Sequence, residues 1–303
     1  MGKKLKIKQN REKFNAFTIV IFFVLIAYCV LLFVPIFWGI MTSFKDAFEF
    51  DVMGNINGFP KTVYWNYGAI FEMFSVKVPT EAGDLEIKLP ILLLYSLLYA
   101  IGCGFMSVAV PCVTSYMCAN YQYKFSKVLY GIVIVTMVTP IVGNTPSQLQ
   151  FARFFGLYDS IWGLWILAGN FLGMGFLIFY AAFKNLPNAY SEAAKIDGAS
   201  NMAVFLKINL PLVKNLFMTY FLMNFIVRWN DYSTPLLYLP HYPTFAVGIY
   251  KIINESAYSD QIIAGSIPLQ ISAAVILLVP IVIIFMCCSR RMLGNLTIGG
   301  LKG

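Results

Sequence analysis

The sequence predicts an all-α membrane protein with about six transmembrane helices. Of its 303 residues, 59% are hydrophobic and only 12% are charged, and the mean hydropathy is +0.72. Such a chain has too little polar surface to cover a soluble globule of its size. Six apolar runs approach the ~20 residues that a helix needs to cross a bilayer. These runs are 16–40, 90–117, 128–143, 161–183, 216–239 and 267–288.

A basic segment, residues 1–15, precedes the first run and looks like the charged start of a secretory signal. The apolar region of a signal covers ~7 to 15 residues and ends at a small-residue cleavage site. The first run is longer and continues to Trp38 without such a site. We therefore interpret it as an uncleaved transmembrane helix.

Two clusters of polar side chains follow or interrupt the third and fifth runs. Pro140, Gly143 and Pro146 break the third run, and broken helices often surround substrate routes because their freed backbone groups need polar partners. Ionisable groups inside a span usually face a cavity or a partner. The candidate polar path across the membrane consists of Asn144, Gln148, Gln150, Asn224, Arg228, Asn230 and Asp231, with Thr145 and Ser147 beside it.

Arg228 and Asp231 admit a second interpretation. They are three residues apart, so on a helix they share one face and can form an ion pair. Such a pair in the outer interfacial layer would anchor the helix without lining any path. The sequence leaves both interpretations open.

A segment at about 185–211 lies between apolar runs and has the character of a soluble loop. The Leu186-Pro187-Asn188 stretch can start a helix, and Gly198 ends or bends it. Asp197 and Ser200 flank this break and can cap a second short helix. The alanines of the segment are small enough for another protein to approach the backbone closely.

The spacing within this segment resembles a known signature. Glu192-Ala193-Ala194 is followed by three residues and Gly198, then by nine intervening residues and Ile208, and then by one residue and Leu210-Pro211. This pattern resembles the EAA signature of permease subunits in binding-protein-dependent ABC importers, and Asp197 before the glycine is similar to the carbohydrate form. The alternative is an amphipathic loop of no special meaning. The resemblance implies coupling to an ATPase through Glu192, Ala193, Ala194, Asp197, Gly198, Ala199, Phe205 and Pro211.

Three further stretches are similar to the carbohydrate permeases. They contain Phe59-Pro60 with Asn66-Tyr67, then Trp229, Asn230 and Pro235, and finally the glycine-rich end GNLTIGGLKG. Arg228 departs from the usual small or polar residue, and 76–88 matches worst. The aromatic residues near Asn66 suit a membrane-interface belt equally well.

The resemblance implies a type I ABC importer transmembrane domain over 16–288, between a basic amino terminus (1–15) and a tail (289–303). The basic residues fall mainly on one side of six alternating helices, so both termini and the EAA loop are expected in the cytoplasm of a bacterial or archaeal cell. Anionic lipid and this asymmetry account for the net charge of +8 without a nucleic-acid partner.

The sequence contains no ATP-binding loop of the form G-x-x-x-x-G-K-[ST] and a single histidine, His241. We therefore expect no catalytic residue, no metal and no cofactor on this chain, with Mg-ATP used by partner subunits. The implied function is that of a permease subunit importing a mono- or oligosaccharide. Its implied partners are a second permease, two ATPase subunits and an extracellular binding protein. Importers of other polar solutes, a stand-alone carrier or channel, and an intramembrane enzyme are the alternatives.

Overall fold

The structure is a computed structural model that describes residues 16–81, 83–121, 123–139, 143–255 and 266–293. The predicted basic segment 1–15 and the tail residues 294–303 lie outside them. The elements, in chain order, are α1 (Ala16–Thr42), α2 (Ala47–Asp51), α3 (Asn66–Met73), β1 (Ser75–Thr80), β2 (Gly83–Lys88), α4 (Leu89–Asn120), α5 (Lys124–Val138), α6 (Thr145–Phe154), α7 (Ile161–Ala168), α8 (Met174–Lys184), α9 (Asn188–Ile196), α10 (Asn201–Val204), the π-helical turn Phe205–Asn209, α11 (Leu210–Leu212), α12 (Lys214–Trp229), α13 (Ser233–Tyr238), α14 (Phe245–Glu255) and α15 (Ile267–Leu293).

Three helices among the described residues are long and apolar enough to cross a membrane: Phe17–Thr42, Leu89–Asn120 and Ile267–Cys287. Asn201–Leu212 and Lys214–Trp229 together qualify as a fourth, bent by 74°. The composition thus predicted a multi-pass helical protein correctly.

The predicted run 161–183 does not form one continuous helix and instead divides into α7 and α8. Gly173 lies at the break with φ of +126°, a backbone conformation that side chains disfavour. The run 216–239 likewise divides into α12 and α13. Apolar composition indicated membrane burial at both places but not the continuity of the helix.

α4 lies at the centre and contacts α7, α8, α12 and α14. Its glycines permit these close approaches: a Cβ on Gly102 would lie 1.9 Å from the ring of Trp165, and one on Gly104 would lie 3.3 Å from the backbone nitrogen of Phe225. The Trp165 indole also donates to the carbonyl of Leu98, at 3.1 Å. Small residues that let helices approach are the usual means of association in lipid.

The segment between α1 and α4 contains two short helices and two strands. Strands β1 and β2 form an antiparallel hairpin in the stretch that matched the carbohydrate permeases worst. Val76, Val78 and Ile87 lie on one face of the hairpin. They are buried in one hydrophobic cluster with Phe74 and Phe245. The fold is still mostly helical, and a hydrophobic face on alternate residues suffices to fix this hairpin to the helices.

A buried cation organises the chain just after α1. The Lys45 ammonium donates to the carbonyls of Asn55 and Ile56, at 2.7 and 2.8 Å. Burial lowers the pKa of Lys45, and the charge of Glu49 opposes that effect. The Glu49 carboxylate accepts from the Lys61 N–H at 2.8 Å, which lowers the pKa of that carboxyl. These bonds close the segment into a compact loop.

Asn66 connects this loop to the helices. Its buried amide donates to the carbonyls of Ser43 and Lys45, at 2.8 and 2.7 Å. The Ser272 hydroxyl of α15 donates to the same Ser43 carbonyl, at 3.0 Å. The Tyr67 hydroxyl lies 2.7 Å from the Ser43 hydroxyl. The Asn66-Tyr67 pair noted in the sequence is therefore a structural joint between the end of α1 and α15.

We predict that Asn66→Ala lowers the thermal unfolding midpoint of the detergent-purified protein, because two carbonyls lose a buried donor at about 1–3 kcal/mol. The matched control is Asn254→Ala, whose exposed amide donates only within its own helix, to Tyr250. Equal midpoints for the two variants would contradict the assignment of Asn66 as the joint.

Candidate functional site

A cavity of about 710 Å³ lies beside α4 and is bordered by α6, α7, α12 and α13. Its wall combines an apolar side with hydroxyl, amide and guanidinium groups. The lining residues are Tyr99, Cys103, Asn144, Thr145, Ser147, Gln148, Phe151, Leu164, Leu167, Ala168, Arg228, Ser233, Thr234, Leu237 and Tyr238. A concave site with a few convergent polar groups is typical of a solute-binding site.

The structure brings Asn144, Gln148 and Arg228 of the predicted polar path to this one cavity. Gln150 is exposed and lies outside its lining. Asn224 and Asn230 also lie outside the lining. Their side-chain amides donate back to carbonyls of α12, at 2.9 Å to Tyr220 and 2.8 Å to Ile226. An asparagine within a helix can satisfy its own amide in this way, so composition alone did not separate the two groups.

Asp231 lies behind the cavity wall and is not a lining residue. Its carboxylate accepts hydrogen bonds from the Tyr99 hydroxyl at 2.9 Å, the Ser233 hydroxyl at 3.0 Å and the Thr234 N–H at 3.0 Å. The nearest Arg228 nitrogen is 3.6 Å from it. Asp231 therefore holds the start of α13 to α4.

Sequence reasoning missed several members of the wall. Tyr99 and Cys103 lie in the long apolar run of α4, where one hydroxyl and one thiol give no distinguishing signal. Ser233 and Thr234 were recognisable, because two hydroxyls follow Asp231 closely within an apolar run that polar residues interrupt. Their position after Asp231 was the one local clue.

His241, which follows α13, contacts Asp159, which precedes α7. The Asp159 carboxylate accepts from the His241 backbone N–H at 3.0 Å and also lies against the imidazole. Asp159 has a positive φ of 56°, which is uncommon for a residue with a side chain. His241 is thus an exposed tether between two loops. The described residues contain no group of three metal-ligating side chains.

The EAA segment, residues 185–211, packs against the carboxyl end of α4. Helix α9 ends at Ile196, and Gly198, with a φ of +83°, makes the turn that follows. Ser200 then caps α10 by accepting from the Ala203 N–H at 3.3 Å. Of the two residues that the sequence offered as caps, Ser200 takes this role and Asp197 follows α9 instead. The predicted order of helix, turn and helix is found, with a π-helical turn after α10.

The signature residues divide into an exposed group and an anchoring group. Glu192, Ala193, Asp197, Gly198 and Pro211 are exposed, and Ala194 and Ala199 are partly exposed. Two apolar side chains near them are also highly exposed, Ile196 at 87% and Met202 at 66%. An exposed apolar patch with charged neighbours is characteristic of a protein-binding surface.

Phe205 belongs to the anchoring group, because it is buried. Its ring lies 4.5 Å from that of Tyr116 on α4. Asn209 is buried as well, and its amide donates to the Tyr116 hydroxyl at 3.2 Å and to the Ser191 hydroxyl of α9 at 3.2 Å. Tyr116 therefore joins the carboxyl-terminal part of the EAA segment to α4, and Asn209 connects α9 to it through Ser191. Sequence reasoning missed Tyr116 and Asn209, although Asn209 lies between two signature residues.

Comparison with known proteins gives the same picture over most of the chain. The family described as binding-protein-dependent transport system inner membrane component matches residues 112–294. The galactooligosaccharides transport system permease protein GanQ of Bacillus subtilis is 25% identical over 203 residues, covering 65% of this chain and 70% of that protein. The arabinooligosaccharides permease protein AraQ of the same organism is 23% identical and covers 89% and 90%.

The fold is similar to that of a bacterial ABC transporter involved in the import of the acidic polysaccharide alginate. That likeness has a TM-score of 0.71 at 20% sequence identity, and covers 90% of this chain and 95% of that one. The family match spans more than half of the chain, and it includes the EAA segment, the cavity residues of α12 and α13, and α15. This multi-pass membrane protein belongs to the family of binding-protein-dependent transport system inner membrane components.

Proposed function

We propose that the chain is the permease subunit of an ATP-driven importer that takes up a mono- or oligosaccharide from an extracellular binding protein. One observation carries this proposal above the others. The EAA segment presents an exposed face while Phe205 and Asn209 fix it to α4, the helix that also lines the cavity through Tyr99. A segment that is accessible and rigidly joined to the cavity wall suits the transmission of a force from a partner.

The force would come from two ATPase subunits, which supply Mg-ATP hydrolysis, and a second permease would complete the path. Closure of the ATPases would move α9 and, through Tyr116, α4. Coupling requires that the EAA segment bind the two ATPase states with different affinity, since equal binding would shift no equilibrium. Glu192 and Asp197 would make charged contacts there, while the alanines would allow close approach.

A carbohydrate suits the cavity and the comparisons. The lining amides and hydroxyls can hydrogen-bond a polyhydroxylated solute, and the apolar side can cover the carbon face of a sugar ring. The similar proteins are named as permease proteins of galactooligosaccharide and arabinooligosaccharide transport systems. Asn144, Gln148 and Arg228 would contact the solute. Gln150, Asn224 and Asn230 would contribute at most indirectly from their positions outside the lining.

The proposal also fixes an orientation. Lys184, Lys195 and Lys207 lie in or beside the EAA segment, and cationic residues favour the cytoplasmic side of a membrane. The EAA segment and both termini would then lie in the cytoplasm, and the β1–β2 hairpin at the opposite end of α4 would face the binding protein.

Co-purification in a mild detergent tests the proposal against its alternatives. An importer subunit retains ATPase subunits and a second permease, whereas a stand-alone carrier transports without them. A binding protein that takes only amino acids or peptides would leave the importer and exclude the carbohydrate. Purification without any ATPase, together with ATP-independent uptake, would exclude the importer itself.

We predict that Gly198→Val abolishes uptake and the transport-stimulated ATPase activity at normal membrane levels, because a β-branched residue disfavours the φ of +83° that shapes the docking turn. The matched control is Gly131→Val on α5, where an added Cβ meets open space and φ is not positive. Wild-type uptake in Gly198→Val would exclude this segment from coupling.

We predict that Tyr116→Phe lowers the amount of solute imported per ATP hydrolysed, because the Asn209 amide loses its bond to α4 while the ring contact with Phe205 remains. One hydrogen bond contributes about 1 kcal/mol, so the expected fall is several-fold. Uptake and hydrolysis are measured in the same proteoliposomes. Tyr28→Phe, an exposed tyrosine of α1, is the control. An unchanged ratio would show that the hydroxyl transmits nothing.

A further inference from the structure

The charge of the cavity is the starting point. Among the described residues that line it, Arg228 alone carries a formal charge. The remaining polar groups are the neutral amides of Asn144 and Gln148 and the hydroxyls of serine, threonine and tyrosine. A solute in this cavity therefore meets one cation and no lining anion.

Asp231 does not consume the hydrogen-bonding capacity of that cation. The separation of 3.6 Å between Arg228 Nη1 and Asp231 Oδ2 exceeds the 2.7–2.9 Å of a charge-assisted hydrogen bond. The same nitrogen lies 3.5 Å from the Tyr99 hydroxyl, at the limit of hydrogen bonding. Within the described part of the chain, Nε and Nη2 have no hydrogen-bond partner. The guanidinium has five N–H donors, so most of them remain free.

Asp231 itself needs little from Arg228. Tyr99, Ser233 and Thr234 already donate to both of its carboxylate oxygens, and its side chain is only 14% exposed. The pair is therefore unequal: the acid is satisfied by neutral donors, while the base is directed to the cavity. A close, mutually saturated pair would be expected if it served only to anchor α12.

A cation with free donors in a membrane span raises the energy of the empty site, and an anionic ligand lowers it. A planar guanidinium binds a carboxylate through two parallel hydrogen bonds, a geometry that a hydroxyl pair matches less strongly. The surrounding amides and hydroxyls would bind the hydroxyl groups of the same molecule.

We infer that the solute is an acidic carbohydrate, a uronate-containing mono- or oligosaccharide, and that Arg228 binds its carboxylate in the cavity. The inference rests on the proposed function, because it names the class of sugar that the importer carries. Arg228 is then a specificity-determining residue of this chain, in addition to any selection made by the binding protein.

The first experiment measures binding of four probes to the isolated cognate binding protein: trigalacturonate, trimannuronate, the methyl ester of trigalacturonate and maltotriose. We expect it to bind at least one uronate more tightly than the neutral probes. Binding of neutral sugars alone would overturn the inference and leave carbohydrate import standing. Binding of no carbohydrate, with an amino acid or peptide bound instead, would overturn the proposed function as well.

The second experiment measures uptake by the complete importer in proteoliposomes, with the binding protein saturated by each probe that it accepts. Arg228→Gln should lower uronate uptake roughly tenfold to a hundredfold, as expected for loss of hydrogen bonds to a charged group. Uptake of the methyl ester, where bound, should change little. Arg228→Lys keeps the positive charge but lacks the planar pair of N–H donors. Its uronate uptake should therefore fall less than that of Arg228→Gln.

Arg153→Gln is the matched control, since Arg153 lies over the Tyr158 ring and does not line the cavity. Assembly of each variant with its ATPases is checked by size-exclusion chromatography. If Arg228→Gln fails to assemble, uronate uptake by Arg228→Lys is compared with that by Arg153→Gln, and this comparison tests the role of Arg228. Equal uronate uptake by the wild type and an assembled Arg228 variant would overturn the role of Arg228.

Discussion

The packing of α4 against its neighbours is the constraint on which the rest of the structure depends. This helix of 32 residues contacts α7, α8, α12 and α14, and glycines at its surface set the approach of two of them. Tyr99 near one end faces the cavity, and Tyr116 near the other end holds the EAA segment. They are about 26 Å apart at the helical rise. A single helix therefore spans the distance between the cavity and the EAA segment.

The EAA segment is exposed and is nevertheless firmly attached to the helices. Most of its signature residues are exposed, yet the buried Phe205 and Asn209 fix its carboxyl-terminal end to Tyr116. Ser191 of α9 is hydrogen-bonded to the same Asn209. A loosely attached loop would absorb a displacement by bending. Aromatic packing and a buried amide instead join α9 to the end of α4.

Polar groups within this mostly apolar chain are satisfied in two different ways. Lys45 and Asp231 find their partners inside the chain, the first in backbone carbonyls and the second in hydroxyls and an N–H. Arg228 keeps donors for the cavity. Because an unsatisfied polar group is costly away from water, the first arrangement stabilises the fold and the second favours a ligand. Local bonding, more than residue type, separates structural from functional charges.

The sequence by itself determined the class of fold, the family resemblance and the turn at Gly198, because composition, fixed spacing and a glycine with positive φ are local properties. It also pointed to Asn144, Gln148 and Arg228, since polar residues are rare in such runs. Only the tertiary structure decided which polar residues face one cavity, and it revealed the β1–β2 hairpin and the breaks within two apolar runs.

Partners distant in the chain account for most of what the sequence left undecided. Tyr99 bonds to Asp231 across 132 positions, and Tyr116 bonds to Asn209 across 93. Nothing in the local sequence marks either tyrosine. Lipid is as apolar as a protein core, so hydrophobic periodicity cannot tell a buried helix face from a lipid-facing one. Which faces meet is therefore decided by packing and by hydrogen bonds between distant residues, which only the folded structure contains.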